Sequence, residues 1–196
     1  YLAFSGGVDS MVLLDILMSK RADVTLFTVD HNTPFCPTEI AFCKKTANFY
    51  GIPYEVAKLP PLPEKVSKEG WWSEKRNKLF KQLPGKVYTA HHLDDAIEWY
   101  AMSTMQGQSK IICPINENIY RPLLATSKEK IVEYARIKGI THLSDPTNAD
   151  ITFNLRNKVR KLLVPHIREC FPGIAKTVRK KVLAKLEELK RCEAVS

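Results

Sequence analysis

The sequence lacks any apolar run that approaches the roughly 18 residues needed to span a membrane. Its five cysteines are scattered and form no C-x-x-C pair, which argues against a metal, cluster or redox site built on paired thiols. No charged-then-apolar leader precedes a cleavage site, and an odd number of separated cysteines fits reduced thiols. These absences predict a soluble, cytoplasmic protein with no membrane partner.

Positive charge is concentrated near one end of the chain. The formal net charge is +9, and residues 156–191 contain twelve Lys and Arg against three Asp and Glu, while the remainder has eighteen of each sign. Such a cluster is typical of a protein that binds a phosphate backbone, because neutralising phosphates releases condensed counterions. A solvated helix face is the alternative that charge alone leaves open.

Short apolar strands alternate with helical stretches through the first half of the chain. We predict strands at 2–4, 24–29, 54–57 and 86–90, and helices at 9–19 and 38–50. This alternation predicts an α/β fold, in which a parallel sheet has helices on both faces. A ligand site is expected beyond the carboxyl ends of the strands.

The pattern becomes purely helical after residue 123. Thr126 and Glu129 form a T-x-x-E capping box, which predicts that a helix begins there. A second helical stretch is predicted at 155–170 and a third after Pro172. The change of pattern indicates that the chain has two parts.

We therefore predict an α/β domain at residues 1–125 and a basic helical subdomain at residues 126–196. The last helix carries an apolar stripe with a spacing of three or four residues, formed by Ile174, Val178, Val182, Leu186 and Leu189. This stripe needs a partner surface. The partner could be the same domain, a second copy of the chain in a homodimer, or a further domain.

A glycine-rich segment follows the first strand and directly precedes the first helix: Ser5-Gly6-Gly7-Val8-Asp9-Ser10. Free backbone N–H groups and the positive end of the helix dipole favour an anion at such a junction. The glycines allow a tight turn against the ligand, and the serines add hydroxyl donors. The lysine of a Walker loop and the spacing of a dinucleotide fold are both missing. We predict a phosphate site of a different kind, with a plain turn as the alternative.

An acidic segment follows the fourth strand and enters a helix. His91, Asp95 and Glu98 stand at positions i, i+4 and i+7, so they share one face if the helix extends back to His91. Two carboxylates and an imidazole suit magnesium binding or proton transfer. Acidic residues that only stabilise the helix dipole are the alternative.

Together, these segments resemble one known family. The S-G-G-V-D-S loop resembles the signature of PP-loop ATP pyrophosphatases, and residues 91–98, H-H-L-D-D-A-I-E, resemble the acidic motif of tRNA(Ile)-lysidine synthetases. Further matches follow in the family's order: Asp30-His31, Glu69, Arg76, Phe80, Arg121-Pro122-Leu123, Asp145-Pro146-Thr147-Asn148, residues 154–160 and Pro165. The resemblance extends from Phe4 to Pro165.

The resemblance implies a set of site residues. ATP is expected to bind with Mg²⁺ through Ser5, Gly6, Gly7, Val8, Asp9, Ser10, Asp30 and His31. The expected catalytic residues are Asp9, His91, Asp95 and Glu98, of which Asp9 and Asp95 are expected to hold the metal. Contacts to phosphate or to transfer RNA are expected from Arg76, Arg121, Asp145, Asn148, Arg156, Asn157 and Arg160.

The resemblance also implies a reaction. C2 of the wobble cytidine in an isoleucine tRNA with a CAU anticodon is adenylated, and the side-chain amine of free lysine then displaces AMP. Trp71 and Trp72 could stack on a base, although aromatic core packing is the alternative. Other interpretations are a PP-loop tRNA thiolase, which the missing C-x-x-C disfavours, an amidating synthetase, or a catalytically silent RNA-binding relative.

Overall fold

The computed structural model describes residues 1–64, 66, 68–144 and 155–195. The strands are β1 (Leu2–Ala3), β2 (Leu26–Asp30), β3 (Tyr54–Lys58), β4 (Val87–Tyr88), β5 (Ile115–Asn116) and β6 (Ile119–Tyr120). The helices are α1 (Val8–Ser19), α2 (Cys36–Tyr50), α3 (Lys68–Gln82), α4 (Leu93–Met105), α5 (Lys128–Lys138), α6 (Leu155–Lys158), α7 (Val164–Cys170) and α8 (Ile174–Val195). A π-helical turn, Val159–Leu163, connects α6 to α7.

The sheet is parallel where its first four strands pair. β1 pairs in parallel with both β2 and β4, β2 pairs in parallel with β3, and the full strand order is β3-β2-β1-β4-β6-β5. The register places Leu2 opposite Leu26, and Leu26 opposite Tyr54. Parallel neighbours require crossover connections, which the intervening helices supply. The predicted α/β fold with a parallel sheet and covering helices is confirmed.

The carboxyl ends of β1 and β2 lie side by side. Phe4 donates its backbone N–H to the Phe27 carbonyl at 2.9 Å, and the Thr28 hydroxyl donates to the Phe4 carbonyl at 2.9 Å. These bonds fix the chain at the point where it leaves β1. The glycine-rich segment after β1 and the Asp30-His31 pair after β2 therefore emerge at the same edge of the sheet.

The described residues form two compact units that are interleaved along the chain. One comprises residues 1–90, 117–119 and 131–144, and the other comprises residues 91–116, 120–130 and 155–195. The predicted boundary between residues 125 and 126 does not separate these units, because α4 shares its hydrophobic core with α8.

The core of the first unit is aromatic at its centre. Phe27 and Phe80 meet edge to face with ring centroids 6.0 Å apart, and Trp71 is buried beside them. Trp72 packs against the same cluster but remains partly exposed. Trp71 therefore has the core role that was the alternative to base stacking.

The core of the second unit explains the apolar stripe of α8. Val178 and Val182 are 0% and 2% exposed, and they belong to one cluster with Ala96 and Ile97 of α4. The first half of the stripe thus has its partner surface within the same unit. Within the described ranges, no helix combines the length and apolar character required to cross a membrane.

The start of α5 differs from the prediction. The helix begins at Lys128 rather than at the predicted capping box, and the Lys128 N–H donates to the Asp94 carboxylate at 2.8 Å. The backbone of Thr126 also contacts α4, because its carbonyl accepts from the Leu93 N–H at 2.9 Å. A side chain from another helix has supplied the cap, which local sequence could not reveal.

Candidate functional site

The glycine-rich segment has a backbone conformation that requires glycine. Gly6 adopts a φ of +74°, in the left-handed region, and Gly7 is extended as the N-cap of α1, with no side-chain cap. The N–H groups of the first helical turn are therefore not capped by a side chain from residue 7. Such a helix start is suited to binding an anion.

Two side chains occupy the space into which a side chain at residue 6 would project. A Cβ on Gly6 would lie 2.7 Å from Cδ1 of Phe42 and 3.1 Å from Cδ1 of Leu143. The Leu143 N–H also donates to the Gly6 carbonyl at 2.8 Å, and Leu143 forms a parallel bridge with Gly7. Phe42 of α2 and Leu143, which follows α5, therefore pack against the glycine-rich segment and stabilise its conformation.

The two serines stabilise the segment from within. The Ser10 hydroxyl donates to the Gly7 carbonyl at 2.9 Å, and the Gly7 N–H donates to the Ser5 hydroxyl at 3.4 Å. Ser5 is exposed, whereas Ser10 is buried. The hydroxyls predicted as phosphate donors therefore also preorganise the loop.

Asp30 and His31 organise the end of β2. An Asp30 carboxylate oxygen accepts from the Asn32 N–H at 2.7 Å, and the His31 ring meets Trp72 edge to face with centroids 5.4 Å apart. Burial and the positive charge of Arg76 lower the pKa of His31 from 6.5 to about 4. The imidazole is consequently neutral near pH 7, so one ring nitrogen can donate a hydrogen bond and the other can accept one.

The titration of His31 predicts a pH dependence of stability. In the unfolded chain the ring titrates near 6.5, so the unfolded state binds more protons between that pH and about 4. The free energy of unfolding should therefore fall by about 2 kcal/mol as the pH falls through this window, after discounting for partial exposure. His31→Gln should lack this component in denaturant titrations at several pH values. Parallel pH profiles for the two proteins would contradict the assignment.

The acidic segment begins α4 through a capping box. His92 is the N-cap, its Nδ1 accepts from the Asp95 N–H at 3.4 Å, and its own N–H donates to the Asp95 carboxylate at 2.8 Å. The helix does not extend back to His91, because His92 is already extended. The predicted three-residue face is therefore wrong at His91, while Asp95 and Glu98 do share a face of α4, one turn apart.

Two arginines bind both carboxylates of this face. Arg156 donates from Nη2 to Asp95 at 2.6 Å and from Nε to Glu98 at 2.9 Å. Arg160 donates from Nε to the other Glu98 oxygen at 2.6 Å. Asp95 and Glu98 are buried, and the two guanidinium groups supply the compensating charge. We call these four residues the carboxylate–arginine cluster.

Charges within the cluster shift the pKa values of Asp95 and Arg156. Burial alone would raise the pKa of the Asp95 carboxyl, but the charge of Arg156 and the hydrogen bond from the His92 backbone N–H hold that pKa below its usual range. Burial similarly opposes the charged form of Arg156, yet Asp95 and Glu98 raise its pKa. Asp95 and Arg156 are therefore both charged at neutral pH.

This arrangement does not fit a magnesium site at Asp95. One Asp95 oxygen accepts from Arg156 and the other from the His92 N–H, while both Glu98 oxygens accept from guanidinium groups. A cation would have to displace these donors and lie beside two positive charges. Among the described residues, no three His, Cys, Asp or Glu side chains are grouped to hold a metal ion.

A second ion pair stabilises the start of α4. Asp94 accepts from the Arg168 guanidinium of α7 as well as from the Lys128 N–H. Burial raises the pKa of the Asp94 carboxyl, but these two donors outweigh it and the pKa is lowered. Sequence reasoning missed this pair, because the partners stand 74 positions apart and no local pattern predicts their contact.

The remaining predicted contact residues have different surroundings. Arg121 is largely buried, donates from Nη1 to the Cys113 carbonyl at 2.7 Å, and has no partner for Nε among the described residues. Asn157 is buried in the second unit, and Arg76 lies near His31 in the first. Asp145 and Asn148 lie outside the described residues.

Comparison with known proteins identifies the family. The sequence profile of the PP-loop domain matches residues 1–167. The chain belongs to the PP-loop domain family. The glycine-rich segment at residues 5–10 stands where the loop that names this family is expected, directly after β1.

Curated relatives of this PP-loop chain are tRNA(Ile)-lysidine synthases. The chain is 34% identical to the enzyme of Persephonella marina over 190 residues, which cover 88% of the chain and 42% of that protein. It is 30% identical to the enzyme of Neisseria gonorrhoeae, covering 98% of the chain and 46% of that protein. The family resemblance that the motifs indicate is thus confirmed, and the chain spans less than half the length of these relatives.

Solved structures agree on the PP-loop fold. A U34-tRNA thiolase from Methanococcus maripaludis matches 95% of the chain and 70% of its own length with a TM-score of 0.75 and 17% identity. An NH3-dependent NAD synthetase from Campylobacter jejuni matches 94% of the chain and 84% of its own length with a TM-score of 0.50 and 13% identity. At these identities the likeness shows the fold alone.

Proposed function

We propose that the chain performs the ATP-dependent tRNA modification for which its relatives are named. In this reaction, ATP adenylates C2 of the wobble cytidine of an isoleucine tRNA, and free lysine then forms lysidine. The observation that carries the proposal is the preorganised phosphate loop at residues 5–10, in a chain whose curated relatives are lysidine synthases. Cytoplasmic tRNA is the expected substrate.

The proposed chemistry proceeds in two steps. The oxygen on C2 attacks the α-phosphorus of ATP, and pyrophosphate leaves. The lysine side-chain nitrogen then attacks C2, loses a proton, and AMP departs with the C2 oxygen. Adenylation turns a poor leaving oxygen into a good one, and the amine must be neutral to attack.

The first unit would bind the nucleotide. The N–H groups at the start of α1 and the turn at Gly6 suit the phosphate chain, and Asp30 and neutral His31 emerge at the same sheet edge. Asp9, in the first turn of α1, is the residue in this unit that we propose as a ligand of phosphate-bound Mg²⁺. When bound, the ion would screen the repulsion between this carboxylate and the phosphates.

The second unit would supply fixed charge rather than a metal ligand. Because every oxygen of Asp95 and Glu98 already accepts a hydrogen bond, neither carboxylate is well placed to take up a proton. We therefore propose that these two residues position Arg156 and Arg160. His91, which stays a predicted catalytic residue, is the one that we propose for proton transfer. Of the residues predicted to contact phosphate or RNA, we favour Arg121, because its Nε has no hydrogen-bond partner among the described residues.

The decisive experiment combines labelled lysine, ATP and total tRNA with the chain. We expect lysine to enter a tRNA nucleoside, with pyrophosphate released only when both lysine and tRNA are present. Omission of each component in turn is the control. Binding of tRNA without pyrophosphate release would instead support a silent relative, and ATP turnover that needs tRNA but not lysine would support a thiolase or an amidating synthetase.

Self-association is a separate proposal. The first half of the α8 stripe is buried within the chain, so a homodimer through α8 would have to use the partly buried Leu186 and Leu189.

A further inference from the structure

The structure divides the cations of residues 156–191 by their partners. Arg156 and Arg160 bind the buried carboxylates of α4, and Arg168 binds Asp94. Lys185 and Lys190, in the second half of α8, pair with glutamates of the same helix. Carboxylates already neutralise these five cations, which leaves the remaining ones better suited to bind a polyanion.

The first half of α8 carries unbalanced positive charge. Residues 174–184 contain Lys176, Arg179, Lys180 and Lys181 and no acidic residue. Lys176, Arg179 and Lys180 are exposed and stand at i, i+3 and i+4, so they form one patch with Cβ atoms about 5–6 Å apart. None of the three forms an ion pair with any residue that the structure describes. We call these three residues the α8 cationic face.

The opposite side of this half-helix is anchored. Val178 and Val182 are buried against α4, and the Lys181 ammonium lies 5.7 Å from the centroid of the Tyr100 ring on α4. The cationic face is therefore presented by a fixed helix. A basic amphipathic helix that binds membranes needs its apolar side free to enter the lipid, and this side is already covered. The arrangement favours a hydrated polyanion over a lipid surface.

We propose that the α8 cationic face binds the phosphate backbone of RNA. Lysine and arginine side chains that are not neutralised by carboxylates bind phosphates and release condensed counterions. The inference rests on the proposed function in taking transfer RNA as the ligand. It concerns affinity alone, so it can be tested without ATP, lysine or turnover.

The test compares two triple variants of one helix. Lys176→Gln, Arg179→Gln and Lys180→Gln together should weaken binding of a tRNA transcript about tenfold or more and reduce the salt slope by about two to three. Lys185→Gln, Lys190→Gln and Arg191→Gln remove the same charge from the other half of α8. Because glutamates already neutralise this region and long-range effects are screened, we expect a change of about threefold or less.

Dissociation constants would be measured by anisotropy between about 50 and 200 mM salt. Lys176→Arg, Arg179→Lys and Lys180→Arg together should retain the affinity of the parent chain. Equal weakening by the two glutamine triples, or none by the first, would overturn the proposal. So would binding to phosphatidylserine vesicles that the first triple abolishes while RNA affinity stays unchanged. Absence of lysine labelling with this RNA pattern intact would count against the proposed reaction only.

Discussion

Glu98→Gln is expected to lower the free energy of unfolding by about 3 kcal/mol, because it leaves two guanidinium groups opposite a single carboxylate. Glu98 is 2% exposed, and both of its oxygens accept from arginines. Removing one partner of a buried pair costs up to about 5 kcal/mol, but the side chains of Arg156 and Arg160 are 28% and 37% exposed, which reduces the penalty. Denaturant unfolding measures the change.

Glu187→Gln is the matched control for this prediction. Glu187 pairs with Lys190 at 3.3 Å, and its side chain is 60% exposed, so its loss should cost about 0.5 kcal/mol or less. Adding Arg160→Gln to Glu98→Gln should recover part of the lost stability, since it removes one unpaired charge. Equal effects of Glu98→Gln and Glu187→Gln would show that the carboxylate–arginine cluster does not form in solution.

Gly6→Ala is expected to weaken Mg–ATP binding about 100-fold. A residue with a side chain is strained by about 1–2 kcal/mol in the left-handed region, and the new methyl group would lie 2.7 Å from the Phe42 ring. Together these effects disfavour the loop conformation by about 3 kcal/mol, which lowers the apparent affinity by the same free energy. Calorimetric titration with Mg–ATP measures the loss.

Gly107→Ala is the control that separates backbone strain from steric contact with Phe42. Gly107 has a φ of +77°, but among the described residues no atom beyond its two chain neighbours lies within 4 Å of its Cβ position. Alanine should therefore cost about 1–2 kcal/mol of stability without altering nucleotide affinity. Phe42→Ala in the Gly6→Ala background should restore part of the affinity by relieving the contact. Unchanged Mg–ATP binding by Gly6→Ala would refute the nucleotide site at this loop.

The glycine-rich turn before α1 was predictable because its signals are local. A strand, two glycines and a helix start are contiguous at residues 2–19, and backbone sterics and the helix dipole act within a few residues. The acidic start of α4 was only half predictable. Its spacing placed Asp95 and Glu98 on one face, but the capping role of His92, which excludes His91 from the helix, depends on a backbone conformation that the pattern does not specify.

The partners of the charges could not be read from the sequence. Arg156 and Arg160 stand among basic residues and indicate phosphate contacts, yet in the structure they are paired with carboxylates about 60 positions earlier. Asp94 likewise caps α5 and binds Arg168 of α7. Each pairing stabilises charge that burial would otherwise penalise, and burial is a property of the folded chain.

By itself, the sequence determined the alternation of strands and helices, the parallel sheet and the glycine-rich turn before α1, since each follows from hydrophobic periodicity and turn chemistry within short segments. The tertiary structure decided which unit α4 belongs to and that Asp95 binds arginine side chains. It also decided which exposed cations of the C-terminal end have no carboxylate partner among the residues that the structure describes. The physical reason is the sequence separation of the residues involved. Backbone preferences act between neighbours along the chain, whereas desolvation and ion pairing depend on residues that only folding brings together.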